Sequence, residues 1–214
     1  GYSAVFLTST AHSWVKDIKV HNGDNCILAD DCANITIQNV ETTGRTSHYT
    51  LMLGIAYNML CKNITVNAPC IHSLSFNTGA RRSVFTDCDV NVQPTLDQHS
   101  GVNFQNLFDN IRIIEKEPHH SFISGGGASY WKPSHGAFST FWNIQVKFDY
   151  YHPDEQPIKI NGVTDGPSAR LVGLNANYPM DIVYGPNVYK EGINKPNLAV
   201  PSLYEYQFNN RLNK

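Results

Sequence analysis

Charge of either sign is scarce in this chain of 214 residues: 16 Lys and Arg stand against 18 Asp and Glu, a net of −2. That balance leaves no basic surplus for a phosphate backbone, so no nucleic-acid partner is expected. No apolar run approaches the roughly 20 residues that cross a bilayer, and no membrane partner is expected either. The chain begins at Gly1 without a basic-then-apolar leader. Cysteines number five, an odd count that no full disulfide set can use. Buried, unpaired thiols filling small core sites are the expectation.

What the chain does have is a short phrase used again and again. Asp17-Ile-Lys-Val, Asn34-Ile-Thr-Ile, Asn63-Ile-Thr-Val, Asp87-Cys-Asp-Val, Asn110-Ile-Arg-Ile and Asn143-Ile-Gln-Val share one pattern. Each places an apolar residue, a polar residue and then Ile or Val after an Asn or Asp. The alternation is that of a strand with one face buried. Two places before each Asn or Asp stands another apolar residue, Val15, Cys32, Cys61, Phe85, Phe108 or Phe141. The in/out parity therefore slips at the Asn or Asp, as it would at a corner in left-handed backbone. Successive copies start 17, 29, 24, 23 and 33 residues apart, a mean of about 25 that falls in the range of solenoid repeats. An antiparallel sandwich would space strands evenly too, but gives no reason for the same corner residue to recur. The expectation is a parallel β-helix with equivalent residues roughly 4.8 Å apart along its axis. The sequons at Asn34 and Asn63 coincide with corners, where a backbone-bonded Asn would make a poor glycosylation acceptor.

Two regions follow from the pattern. Residues 1–175 read as rungs, and 176–214 as a Pro- and Tyr-rich tail that caps the last rung. Within the tail, Ser202-Leu-Tyr-Glu205 resembles a capping box opening a short helix to Leu212. Nothing before Val15 looks like a cap, so further rungs upstream in the native molecule are expected. The longest insertion between corners carries Gly125-Gly-Gly with Tyr130, Trp131, Lys132 and His135, and insertions of this kind on solenoids map to the binding face.

A second column emerges from the histidines. His48, His72, His99 and His120 each open a strand, at intervals of 24, 27 and 21 residues. Stacked, they would line roughly 15 Å of one wall. A single buried His is ordinary; four at one strand start suit proton transfer near neutrality better than core filling. Asp97, two residues before His99, can orient it, and Arg81 and Arg82 come from the rung of His72. A straight column offers two or three metal ligands, short of a tetrahedral cluster. No metal or other cofactor is therefore expected, a divalent ion being the lesser alternative. Asp87 and Asp89 are the carboxylates that could partner Asp97 in a hydrolase, where two carboxyl groups must face one bond.

These repeats, with Leu96-Asp-Gln-His-Ser, Asn106-Leu-Phe, Ser124-Gly-Gly and Thr140-Phe-Trp-Asn143, resemble the pectin-lyase-like superfamily of right-handed parallel β-helices over about residues 12–175. The resemblance implies an all-β fold with a groove along one sheet, in secreted enzymes that cut acidic polysaccharides by β-elimination or hydrolysis, and leaves a homotrimer open. Neither the paired-Asp signature of polygalacturonase-type hydrolases nor the acidic calcium cluster of pectate lyases is present. The leading expectation is a secreted lyase on a uronate-containing polysaccharide. His99 would be its base, oriented by Asp97, with His72 as helper and Arg81 or Arg82 neutralising the substrate carboxylate. His48, His120, Tyr130, Trp131, Lys132 and His135 would bind sugar. The alternatives are a glycoside hydrolase using Asp97 with Asp87 or Asp89, and a non-catalytic glycan-binding or structural shaft.

Overall fold

Asn and Asp enter the left-handed region more readily than other L residues, and this chain spends them on corners at fixed intervals. The computed structural model describes residues 1–99, 101–126, 135–153 and 156–213. In each of eight rungs the backbone turns left-handed at two corners five residues apart. His12, Asn34, Asn58, Arg82, Gln105, Phe138, Ser168 and Asn187 make the first corner. Asp17, Asn39, Asn63, Asp87, Asn110, Asn143, Gly173 and Gly192 make the second, with φ between 49° and 68° over both sets. The result is a parallel β-solenoid of about eight turns.

The first sheet is built from β1 (Ser3–Ala11), β3 (Asn25–Ala33), β5 (Ser47–Leu53), β8 (Cys70–Asn77), β11 (Leu96–His99) and β13 (Gly125–Gly126), in that order, with β6 (Ala56–Tyr57) beside β3. The second contains β2 (Trp14–His21), β4 (Thr36–Thr43), β7 (Leu60–Val66), β10 (Asp89–Val90), β12 (Leu107–Glu115), β14 (Thr140–Phe148), β16 (Arg170–Val172) and β19 (Tyr189–Glu191). In this sheet β9 (Val84–Thr86) joins β7 to β12, and β17 (Asn175–Ala176) pairs with β14. A third pairing links β15 (Ile158–Asn161) to β18 (Met180–Val183). Every strand pairing among the described residues is parallel, so equivalent positions of successive rungs stack.

Stacking produces columns. Val15, Ile37, Cys61, Phe85, Phe108, Phe141 and Leu171 share one register position. Inside, Phe76, Phe108 and Phe141 follow at ring-centroid distances of 4.7 and 5.0 Å, with Phe85 packed on the first two. At the second corner the side-chain amides bond along the axis: Asn39 donates to Asp17 at 2.7 Å and Asn63 to Asn39 at 2.8 Å. Asn110 donates to Asp87 at 2.6 Å and Asn143 to Asn110 at 3.0 Å.

Three sequence expectations change here. Asn34 is not in file with Asn63 and Asn110; it belongs to the first corner, where it accepts from Asn58 at 3.1 Å. Asn39 takes its place in the second, which turns the uneven spacings of 17 and 29 residues into 22 and 24. Cys32 and Cys61, which the phrase set at one repeat position, therefore lie in different sheets; all five cysteines are free, in keeping with the reading as unpaired thiols. Rungs also run beyond residue 175, to β18 and β19, because the prolines there fall between the strands rather than in them.

The helix α1 (Leu203–Leu212) forms where expected, with Ser202 accepting from the Glu205 N–H. It does not cover the last rung. The tail runs back along the outside of the second sheet: Trp142 Nε1 donates to Val200 O, Asn143 to Pro201 O, and buried Asp109 accepts from Ser202 Oγ and Leu203 N. Lys62 closes the strap by pairing with Glu205. No helix among the described residues is long and apolar enough to cross a membrane.

Candidate functional site

Four adjacent strands of the first sheet converge on one carboxylate. The register sets Tyr49 of β5 beside His72 of β8, then Ser75 beside Asp97, Asn77 beside His99, and His99 beside Gly126 of β13. The expected column of imidazoles in one row is therefore not what forms. His48 lies one residue ahead of the Tyr49–His72 row, and His99 occupies the row of Asn77. The rings meet because side chains lean along the strands: His72 and His99 are 4.6 Å apart, His48 and His72 5.3 Å, and Tyr49 stacks on His72 at 4.6 Å.

Asp97 is the centre. Its side chain is 1% exposed, against 12% for His72 and 14% for His99. Oδ2 accepts from Ser75 Oγ at 2.7 Å and faces His72 Nδ1 at 3.0 Å and His99 Nδ1 at 3.2 Å. Neither ring N–H points along the line to that oxygen, and Oδ1 meets no hydrogen-bond donor among the described residues. Burial pushes the Asp97 carboxyl upward, but the His72 and His99 imidazoles outweigh it and hold the group below the usual carboxylate range. The carboxylate is thus charged near neutral pH. Burial, and then the charges of His72 and His99, lower the His48 imidazole from its ordinary value. Gly126 closes the far side: a Cβ there would stand 3.2 Å from His99 Nδ1 and 3.3 Å from Asp97 Oδ1. Asn77 Nδ2 donates to the Tyr49 hydroxyl at 3.2 Å.

The architecture has solved counterparts. The DFA-IIIase of Arthrobacter chlorophenolicus A6 crystallised with GF2 matches with a TM-score of 0.64 at 11% identity, over 88% of this chain and 50% of that one. Its C387A mutant with DFA-III matches at 0.63 and 10% identity, over 86% and 45%. The likeness is one of fold. This chain spans about half the length of the structures it matches. No family model matches the sequence, and no curated protein matches it.

Other candidates fall elsewhere. Arg81 lies over the Tyr57 ring at 4.8 Å and donates to Gly79 O, while Arg82 sits at a first corner bonded to Gln105. Neither has a contact with Asp97 or its histidines among the described residues. Asp87 and Asp89 belong to the second-sheet side, where Asp87 holds the corner ladder near Lys62 and Asp89 pairs with Arg112. They do not join Asp97. His120 has left the column for a pair of its own, its Nδ1 2.7 Å from the fully buried Glu115 carboxylate. His135 is half-buried beside Gly166. Tyr130, Trp131 and Lys132 lie outside the described residues. Sequence reasoning missed Tyr49, Ser75, Asn77 and Gly126, each a rung-neighbour of a residue it did select.

Proposed function

We propose that this chain is the catalytic β-helix of a secreted polysaccharide-degrading enzyme, and that it cuts a uronate-containing chain by β-elimination beside Asp97. The observation that carries the reading is a buried, charged carboxylate clasped by imidazoles, with no second carboxylate in the cluster among the described residues. Hydrolysis by an acid/base pair needs two carboxyl groups across one bond. Elimination needs a base for the proton α to the sugar carboxylate and positive charge to stabilise the carbanion.

Of the three imidazoles, His48 is the exposed one, and no carboxylate pairs with it among the described residues. His99, favoured by sequence, is nearly enclosed and turned toward Asp97. The base role therefore moves to His48, with Tyr49 and His72 packed behind it. His48 takes the proton from the α carbon, the freed electron pair forms the α–β double bond, and the β carbon–oxygen bond breaks. The departing oxygen takes a proton from the imidazolium or from water, so the net change is one proton moved from carbon to oxygen.

The test is a panel of uronate-containing polysaccharides followed by the ultraviolet absorbance of the unsaturated product. His48→Ala should lower that rate roughly 10²–10⁴-fold. Full activity in the variant removes His48 as base. A second reading, hydrolysis of a neutral glycan, draws on the sugars bound by the DFA-IIIase structures. New reducing ends without absorbance would favour it, and neither signal would make the chain a binding or structural shaft.

A further inference from the structure

We infer that His72, Asp97 and His99 form a binding site for one divalent transition-metal ion of the zinc class. One ring nitrogen from each histidine and one Asp97 oxygen all lie within 4.8 Å of one another. The distances from His72 Nδ1 and His99 Nδ1 to Asp97 Oδ2, 3.0 and 3.2 Å, have the size of edges in a coordination shell. Bonds of roughly 2.0–2.1 Å put neighbouring ligand atoms about 2.9 Å apart in an octahedron and about 3.4 Å apart in a tetrahedron.

Orientation separates this from a plain ion pair. A hydrogen-bonded imidazole aims its N–H at the acceptor, and neither His72 nor His99 does so. An imidazole whose lone pair aims at an ion shared with the carboxylate points about 45° to one side of the oxygen at such bond lengths. Asp97 adds an independent sign, since Oδ1 of this buried side chain has no donor among the described residues. Ser75 Oγ, 2.7 Å from Oδ2, fixes the carboxylate as an outer-shell partner does. Gly126 keeps a Cβ out of the space beside Oδ1 and His99 Nδ1.

Two nitrogens and one carboxylate suit zinc, iron or manganese and leave positions open for water or substrate. The sequence argued against a metal because a straight column would supply too few converging ligands. The actual register sets His72 and His99 in different rows and turns both toward Asp97. The inference rests on the proposed function for its use: the ion would take the uronate carboxylate and bring the positive charge that Arg81 and Arg82 do not bring to the cluster.

The experiment is titration of the chelator-stripped full chain with Zn²⁺ by calorimetry and with Co²⁺ by visible absorption. One equivalent should bind, with Co²⁺ bands typical of a low-coordinate nitrogen site. His72→Gln and His99→Gln should each weaken Zn²⁺ binding by at least about 10–100-fold, the loss that an outer-shell partner alone would cause, and His120→Gln, in its separate pair with Glu115, should not. Circular dichroism shows whether the variants fold; should they not, the Co²⁺ spectrum of the unaltered chain decides. Absence of stoichiometric binding, or binding indifferent to both substitutions in folded protein, overturns the site. Cleavage at full rate by a stripped chain that takes up no Zn²⁺ overturns the metal and spares the lyase reading. One bound Zn²⁺ with no cleavage of any uronate polymer supports the metal and counts against the lyase.

Discussion

Asp109 accepts from Thr86 Oγ1, Ser202 Oγ and the N–H groups of Leu203 and Tyr204, and it is buried. Removing a buried acceptor leaves its donors unpaired, at about 1–3 kcal/mol per group. Asp109→Ala should therefore lower the melting temperature by roughly 4 °C or more in a domain of this size. Burial raises the Asp109 carboxyl above its ordinary value, and the hydrogen bonds from Ser202, Thr86, Leu203 and Tyr204 only partly offset this. The folded chain thus holds this proton more tightly than the unfolded one. Its contribution is full below the unfolded value near about 3.9 and is lost as pH rises through the folded value. Subtracting the Asp109→Asn melting profile from that of the unaltered protein should reveal a component that declines with pH. Thiols report on the same low-dielectric interior. Burial pushes Cys88 up to about 12 and Cys61 well above its usual value. As the thiolate is the reactive form, iodoacetamide near pH 8 should spare both in native protein and reach all five cysteines in denaturant, as read by mass spectrometry. Asp97 and His99 were legible because they stand two residues apart in a chain with little charge. Ser75 and Tyr49 were not, since a Ser or Tyr in a strand announces nothing until its neighbour one rung away is known.

At the scale of elements, corners and short strands divide the work. Phe108 in β12 is fully buried between Phe85 and Phe141, and its truncation to Ala should cost about 3–5 kcal/mol in denaturant unfolding. β13 consists of two glycines paired to Gln98 and His99. Gly126→Ala would press a Cβ to 3.2 Å from His99 Nδ1 and 3.3 Å from Asp97 Oδ1. We expect weaker Zn²⁺ binding by calorimetry with an unchanged circular dichroism spectrum, because β13 packs little and adds little to the core. The corner at Asn63 was readable because Asn-Ile-Thr-Val follows it. Asn39 was not, because Asn39-Val-Glu-Thr ends in a polar residue while Asn34-Ile-Thr-Ile, at the other corner, imitates the phrase. Both corners demand left-handed backbone, so the same amino acids serve both, and only the pairing register separates them.

Across the whole molecule, a solenoid is nearly one-dimensional, each rung touching only the next, so disturbance spreads along the axis from neighbour to neighbour. The C-terminal strap is the exception. Val200 and Pro201 accept from Trp142 and Asn143 of β14, Ser202 and Leu203 bond Asp109 of β12, and Glu205 pairs with Lys62 of β7. One segment thereby ties β7 to the adjacent strands β12 and β14, from which β10 and β9 separate it in the sheet. The sequence shows the capping box that starts α1 but not its landing place, because Asp109 and Lys62 lie about 90 and 140 residues upstream and follow no repeat rule that reaches the tail. Truncation after Ala199 tests the coupling. If the strap joins the rungs, hydrogen exchange at Lys62, Asp109 and Asn143 should quicken together, while protection in β3 and β5 of the opposite sheet stays as it was. A change confined to β14, the strand nearest the cut, would mean that the strap only lies on the surface and that the rungs respond one at a time.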